Sequence, residues 1–221
     1  MITIKKRVLA VLDTLKRVTK GMTPPASYLI TQKYGKNPFL TLVGCVLSFR
    51  TKDSISFSAS CRLFDKAQTP YKMLDLSVQA IEKLIFPVGF YRVKARSIHV
   101  ICEQLIHKYD GKVPDSYEEL IALSGVGPKT ANLVLAEAFD IPALCVDTHV
   151  HRISNRLGIV KTKTPQETEK RLKEIVPPEY WHNLSTLFVM WGQNVCVPIS
   201  PFCSRCPIFD LCDKKSVSKA R

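Results

Sequence analysis

Apolar residues recur along most of the chain at the three- and four-residue spacing of amphipathic helices. In the first twenty residues, Asp13 and Lys16 interrupt the apolar positions. This pattern favours a helix over a signal peptide and leaves a mitochondrial presequence as the weaker alternative. The segment 39–49, FLTLVGCVLSF, is apolar on all sides, as is typical of a helix at the centre of a bundle. No segment shows convincing strand alternation, so the sequence predicts an all-α protein.

Capping residues and helix breakers divide this pattern into helices joined by short loops. Pro87 and Gly89 separate two helices within residues 77–109. The segment VDTHVHRISNRLG starts another helix with Asp147 or Thr148 as its N-cap, and Gly158 ends it. The short connections indicate a compact helical protein.

Residues 116–139 predict a helix-hairpin-helix, in which the turn SGVG joins SYEELIAL to PKTANLVLAEAF. The glycines allow backbone conformations that are closed to other residues. We expect the amides of Gly125, Val126 and Gly127 to be uncovered beside a helix N-terminus, where a DNA phosphate would bind. Thr130, in the first turn of the second helix, is either a further candidate contact or an ordinary threonine on the helix face.

Basic residues outnumber acidic ones by 32 to 19, which gives a net charge of +13 and a pI of about 9.4. Such an excess is typical of nucleic-acid binders, although a basic protein that merely stays in solution is the plainer interpretation. Lys94 lies in one of the basic clusters, YRVKAR, and is predicted to contact phosphate. No apolar run approaches the length of a membrane span.

Lys129 stands in the first turn of the second hairpin helix, where the macrodipole disfavours a cation. It is either a solvated lysine that helps to bind phosphate or an amine nucleophile. The nucleophile must be neutral, and the dipole is too weak to remove its proton, so this interpretation requires burial in a pocket. Asp147, eighteen residues on, is either a plain N-cap or a carboxylate that stabilises positive charge on a sugar.

Four of the eight cysteines form a C-x6-C-x2-C-x5-C pattern at Cys196, Cys203, Cys206 and Cys212. Four thiolates this close together can bind one zinc ion or one 4Fe-4S cluster, and their chemistry alone does not separate the two. The other four, Cys45, Cys61, Cys102 and Cys145, lie among apolar residues and are expected to be buried thiols.

Several of these motifs together resemble the endonuclease III family of DNA glycosylases. The strongest are LSGVGPKTANLVLAEAF and VDTHVHRISNRLG, and LVGCVLSFRTKD, VGFYRVKARSI and DGKVPDSYEELIALSGVG follow the family in order and spacing. The resemblance covers nearly the whole chain. It implies that Lys129 is the Schiff-base nucleophile and Asp147 the catalytic carboxylate. It also implies one 4Fe-4S cluster, mainly structural, held by the four clustered cysteines.

The same resemblance implies a two-domain fold. A six-helix barrel domain would comprise residues 31–141, and a discontinuous helical iron–sulfur domain would comprise residues 1–30 and 142–221. The implied activity is that of a bifunctional DNA glycosylase and abasic-site lyase of base excision repair. It would flip an oxidised pyrimidine out of duplex DNA into a pocket between the domains and cleave the strand by β-elimination. We expect a monomer, in the cytoplasm or nucleoid of a prokaryote or in any other compartment that contains DNA.

Two departures from the family pattern concern contacts with DNA. Arg50 stands where many bacterial relatives have a glutamine that fills the gap left by a flipped base, and Phe49 beside it is either a wedge or a core aromatic. The first cysteine loop, VPISPF, lacks basic residues, which leaves Arg205 as the only nearby cation. A thymine or uracil mismatch glycosylase and a non-catalytic, metal-stabilised DNA-binding module remain the alternatives.

Overall fold

The computed structural model describes residues 3–221, which form helices and loops without a β-strand. The chain divides into two compact units. We call Pro25–Ile141 the central unit, and Met1–Pro24 together with Pro142–Arg221 the terminal unit. The sequence placed the first boundary at residue 30, but it lies earlier because a helix already begins at Ala26 and buries Ile30 in the central unit. None of the described helices is long and apolar enough to cross a membrane.

The central unit contains eight helical segments, six of them of eight residues or more. They are α2 (Ala26–Tyr34), α3 (Pro38–Ser48), α4 (Asp53–Phe64), α5 (Pro70–Leu74), α6 (Val78–Ile85), α7 (Tyr91–Tyr109), α8 (Tyr117–Ala122) and α9 (Pro128–Ala138). Helix α3 is the most buried, because α2, α4, α7 and α9 all pack around it. Asn37 caps it by accepting from the amides of Phe39 and Leu40 at 3.0 and 3.2 Å.

The described residues of the terminal unit form four α-helices and three short 3₁₀ turns. The helices are α1 (Ile4–Val18), α10 (Thr148–Arg156), α11 (Pro165–Ile175) and α12 (Trp181–Asn194), and the turns are Pro178–Tyr180, Cys203–Arg205 and Phe209–Leu211. Helix α1 buries Val8, Val11 and Leu15 on its apolar face and packs against α12. The amphipathic helix expected at the start of the chain is therefore confirmed, and it contributes to a core that the rest of the unit completes.

Candidate functional site

The predicted hairpin is present as α8, a five-residue turn and α9. Ser116 caps α8, since its hydroxyl accepts from the amide of Glu119 at 3.3 Å and donates to the Glu119 carboxylate at 2.7 Å. These two contacts of the Ser116 hydroxyl fix where the helix begins. Pro128 is the first residue of α9, where its missing N–H removes no helical hydrogen bond.

The turn exposes two of the three amides that the sequence proposed as an anion site. Among the described residues, no carbonyl oxygen accepts from the amides of Gly125 or Gly127. A Cβ added at either glycine would meet no atom within 4 Å. Val126 was wrongly predicted to contribute, because its amide donates to Leu123 O at 3.0 Å and the residue is only 6% exposed. Val126 instead secures the turn from inside.

The two glycines of the turn differ in what they need from the backbone. Gly125 has a φ of +80°, a left-handed conformation that favours glycine. Gly127 is extended, with φ −100° and ψ 175°, so its backbone suits any residue. Neither backbone conformation nor internal packing therefore requires a glycine at position 127. A ligand that approaches the open surface of the turn closely would provide the reason.

Lys129 is the second residue of α9 and is exposed, and Thr130 after it is half-buried. The burial that the sequence analysis required for a nucleophilic lysine is therefore not supplied by the protein alone. A bound nucleotide would have to exclude water from the amine. The first hydrogen bond of the helix runs from Ala131 N to Gly127 O at 3.0 Å. This bond closes the first helical turn around Lys129 and so fixes the backbone of Lys129 relative to the hairpin turn.

Asp147 is the N-cap of α10. Its Oδ1 accepts from the amides of His149 at 2.8 Å and Val150 at 2.9 Å, which fixes the orientation of the half-buried carboxylate. The next turn of the helix carries Arg152, whose Nη2 donates to His149 Nδ1 at 3.1 Å. Of the two N-cap candidates, Asp147 is thus the one that caps, and the two amides hold its carboxylate in one orientation.

Two loops of the central unit present an exposed group that we call the aromatic–arginine cluster, made of Phe49, Arg50 and Phe90. The rings of Phe49 and Phe90 are 62% and 60% exposed. The Arg50 guanidinium lies over both, 5.6 Å from the first ring centroid and 5.8 Å from the second. Phe49 is therefore not a core aromatic. Phe90 was missed by the sequence analysis, because it follows Gly89 at a helix break and resembled an ordinary apolar helix position.

The cluster is built on strained backbone. Arg50 and Phe90 have φ values of +50° and +58°. For residues with a Cβ, this left-handed conformation costs about 1–2 kcal/mol each. Such residues persist only where the surrounding structure holds them, and they concentrate at functional sites.

Lys94 was wrongly predicted to contact phosphate, because it is only 5% exposed. Its Nζ donates to Leu47 O at 2.8 Å, to Phe49 O at 2.5 Å and to Thr51 Oγ1 at 3.2 Å. Burial lowers the pKa of Lys94 to about 8. The helical spacing predicts this burial. Lys94 lies on the same face of α7 as the buried residues Ile98, Ile101, Cys102 and Leu105.

The four clustered cysteines line one cavity in the terminal unit. Its other lining residues are mainly apolar and include Ile153, Trp191, Val195, Phe202 and Ile208. Burial raises the pKa of the Cys206 and Cys212 thiols, and backbone amides of Ile208 and Lys214 oppose this shift. Of the other four cysteines, three are buried as expected and Cys61 is partly exposed.

The polar groups around this cavity fit a cluster of iron and sulfur. Arg156 Nη1 and the Lys214 amide lie 3.4 Å from the sulfurs of Cys196 and Cys212. The indole N–H of Trp191 is buried and, among the described residues, makes no hydrogen bond of ordinary geometry, yet it favours the thiolate of Cys206. A donor aimed at a sulfur-lined cavity is what a bound sulfide would satisfy.

In residues 3–221, no three His, Cys, Asp or Glu side chains converge closely enough to hold one metal ion as the side chains stand. A zinc ion and a 4Fe-4S cluster can each bind four thiolates, so the choice between them depends on the groups around the cavity.

Arg205 is exposed in this region, but contrary to what the sequence had indicated it is not the only cation near the first cysteine loop. The chain folds back so that Arg221 N donates to Pro201 O at 2.8 Å and Arg221 O accepts from Ser204 N at 2.9 Å. Both guanidinium groups lie 4.0 Å from the centroid of the Phe202 ring. A second arginine, distant in sequence, therefore packs against the first cysteine loop.

Comparison with known proteins identifies similar chains over nearly the full length. Residues 43–178 match the family described as HhH-GPD superfamily base excision DNA repair protein. Endonuclease III of Thermotoga maritima is 46% identical over 177 residues, which cover 80% of this chain and 83% of that protein. Two solved structures of endonuclease III with DNA, one non-covalent and one a trapped covalent intermediate, each have a TM-score of 0.84 and 36% identity, and cover 97% of both chains.

Proposed function

Because the chain belongs to the endonuclease III family, the DNA glycosylases and abasic-site lyases of base excision repair, we propose that Lys129 is its nucleophile. The observation that carries the proposal is the position of Lys129 in the first turn of α9, directly after a turn with two open amides. Borohydride trapping tests it, because borohydride reduces a Schiff base to a permanent cross-link.

The covalent step follows from amine chemistry. The lone pair of Lys129 Nζ forms a bond to the sugar C1′ while the glycosidic bond breaks. The base leaves with the electron pair of the glycosidic bond and takes up a proton, and the new ammonium group at Nζ loses one. The sugar ring then opens as O4′ takes up a proton, which converts the adduct to a protonated imine. Loss of a C2′ proton then expels the 3′ phosphate, which cleaves the strand by β-elimination. Exclusion of water from the exposed amine falls to the bound nucleotide in this proposal.

Asp147 is proposed to stabilise the positive charge that develops on the sugar as the base departs. A carboxylate held in place by two backbone amides requires no reorganisation when that charge appears. Its capping role and its electrostatic role are compatible, since the cap fixes the geometry that the chemistry uses.

Duplex DNA is the proposed partner, with phosphates held by the hairpin turn and by the basic surface. The net charge of +13 supplies the general attraction, and the amides of Gly125 and Gly127 supply a directed contact beside a helix N-terminus. Arg205 is a further candidate phosphate contact. The site of action is any compartment that contains DNA.

Gly127→Ala should weaken DNA binding without loss of stability. The added methyl group meets no atom of the protein and the backbone conformation is ordinary, so the melting temperature should stay within about 2 °C. A methyl group on the turn surface would hold a phosphate away from the amides, and we expect about a tenfold loss of affinity. Melting and fluorescence anisotropy measure the two effects, and Ser124→Ala is the matched control. Unchanged affinity would argue against phosphate binding at this turn.

The aromatic–arginine cluster is proposed to fill the gap that remains in the duplex when a nucleotide is extruded. Exposed aromatic rings stack on bases, and an arginine can donate hydrogen bonds to the unpaired base opposite. The preferred substrate is proposed to be an oxidised pyrimidine. A thymine or uracil mismatch is the alternative, since Arg50 would read the opposite base.

The four clustered cysteines are proposed to hold one 4Fe-4S cluster. The sulfur-lined cavity, the indole N–H of Trp191 and the cationic Arg156 suit a cluster with net negative charge. The group would supply structural cross-linking of the 3₁₀ turns at the end of the terminal unit.

Protein purified without oxygen should contain about four iron atoms and about four acid-labile sulfides per chain, with absorbance in the visible range. Trp191→Phe keeps the packing of the ring and removes only the N–H donor. It should retain the iron but shift the reduction potential to a more negative value, because one hydrogen bond to sulfur is lost. One zinc ion per chain without sulfide would refute the cluster.

A further inference from the structure

Lys94 is a buried charged residue of the central unit that the proposed mechanism does not use, and lysine side chains are rarely buried. We propose that Lys94 is a positioning residue that holds the aromatic–arginine cluster in the conformation that enters the duplex. The inference rests on the proposed function of that cluster. It replaces the phosphate contact predicted from the sequence.

The first argument is the position of the ammonium group. Lys94 Nζ donates to Leu47 O and Phe49 O, at the C-terminal end of α3, where carbonyl groups lack helical partners. A cation is favoured at this end of a helix. The contact with Phe49 O fixes the backbone of a cluster residue directly, at the point where the chain leaves the helix.

The second argument is that the same contact connects the two loops of the cluster. Thr51 Oγ1 accepts from Lys94 Nζ at 3.2 Å and from Gly89 N at 3.1 Å. The loops approach so closely that a Cβ on Gly89 would lie 2.7 Å from Arg50 O. Lys94 and Thr51 therefore join the loop that carries Phe49 and Arg50 to the loop that precedes Phe90.

The third argument is strain. Arg50 and Phe90 both adopt left-handed backbone conformations. Their side chains are exposed, so contacts of the side chains with the protein core do not hold them there. The hydrogen bonds of Lys94 and Thr51, which are buried or partly buried, constrain these loops. Without them, Arg50 and Phe90 would relax and the two rings would separate.

The experiment compares Lys94→Met with Lys108→Met, an exposed lysine on the same helix. Each variant is titrated with an undamaged duplex and with a duplex that carries a tetrahydrofuran abasic analogue, which the enzyme cannot process. Lys94→Met should lose about tenfold in affinity for the tetrahydrofuran duplex, the effect of losing one stacked ring. The affinity of Lys94→Met for the undamaged duplex should be unchanged. Lys108→Met should bind both duplexes with the affinity of the wild type.

A double-mutant cycle separates positioning from a general structural role. If Lys94 acts through the cluster, Lys94→Met should add nothing in a Phe49→Ala, Arg50→Ala background. Equal losses of affinity for both duplexes, or losses that add in the cycle, would overturn the positioning role of Lys94. Such results would leave the proposed function of the cluster intact. A wild type without preference for the tetrahydrofuran duplex would overturn the proposed function of the cluster as well.

A second variant covers the case in which Lys94→Met fails to fold. Thr51→Val removes one acceptor of the lysine and the acceptor of Gly89 while preserving side-chain shape. It should show the same selective loss on the tetrahydrofuran duplex, in smaller degree. An unchanged preference in folded Thr51→Val protein would overturn the proposal.

Discussion

Lys129→Ala should abolish borohydride cross-linking to a thymine glycol duplex and slow base release by at least about a thousandfold. The reason is that no other group in the proposed mechanism can form the imine. Lys94, another lysine of the central unit with an unusual environment, is buried and engaged with three oxygen atoms. Affinity for a tetrahydrofuran duplex should fall by no more than about threefold, since one surface cation is lost.

The measurement is a single-turnover assay with and without borohydride. Lys108→Ala removes a lysine that is exposed on α7 and should cross-link like the wild type. A duplex with a G·T mismatch, tested in parallel, distinguishes the two substrate classes. Base release by Lys129→Ala at the wild-type rate would refute the nucleophile, and tight binding without any base release by the wild type would indicate a non-catalytic module.

Asp147→Asn should reduce the rate of base release by about a hundredfold or more while the protein remains as stable as the wild type. An asparagine oxygen can still accept from the amides of His149 and Val150, because asparagine caps helices about as well as aspartate. The substitution therefore removes the charge and keeps the cap. The electrostatic stabilisation of the cationic sugar is therefore lost while the helix keeps its N-cap.

Asp147→Ala is the informative comparison, because it removes both charge and cap. Its free energy of unfolding should fall by about 1 kcal/mol, measured by denaturant titration. Its activity should match that of Asp147→Asn once the folded fraction is taken into account. If Asp147→Asn retained full activity and only Asp147→Ala were impaired, Asp147 would be a cap and nothing more.

Local signals predicted the helices and their ends. Asp147 lies at the N-cap position predicted from the sequence, because a cap involves residues within three or four positions of each other. The hairpin turn followed for the same reason. The position of α2 in the central unit depended on what Ile30 packs against, which a local pattern does not contain.

The errors at the candidate site come from contacts between distant parts of the sequence. Lys94 resembled a surface cation because YRVKAR is basic, and its acceptors lie 43 to 47 residues earlier. Val126 was assigned an open amide although a neighbouring carbonyl takes it. Phe90 is exposed at a left-handed backbone position between two helices, and Arg221 reaches the cysteine loop from beyond the last cysteine.

The division of the terminal unit into two segments has a consequence for synthesis on the ribosome. Helix α1 is made before the central unit, whereas α12, against which it packs, is made after it. The apolar face with Val8, Val11 and Leu15 therefore stays exposed until α12 is made. During that time the nascent chain can bind chaperones or aggregate. Domains generally fold as they emerge, so the central unit can fold before α12 has left the ribosome. The order of translation thus delays completion of the terminal unit until its second segment has emerged.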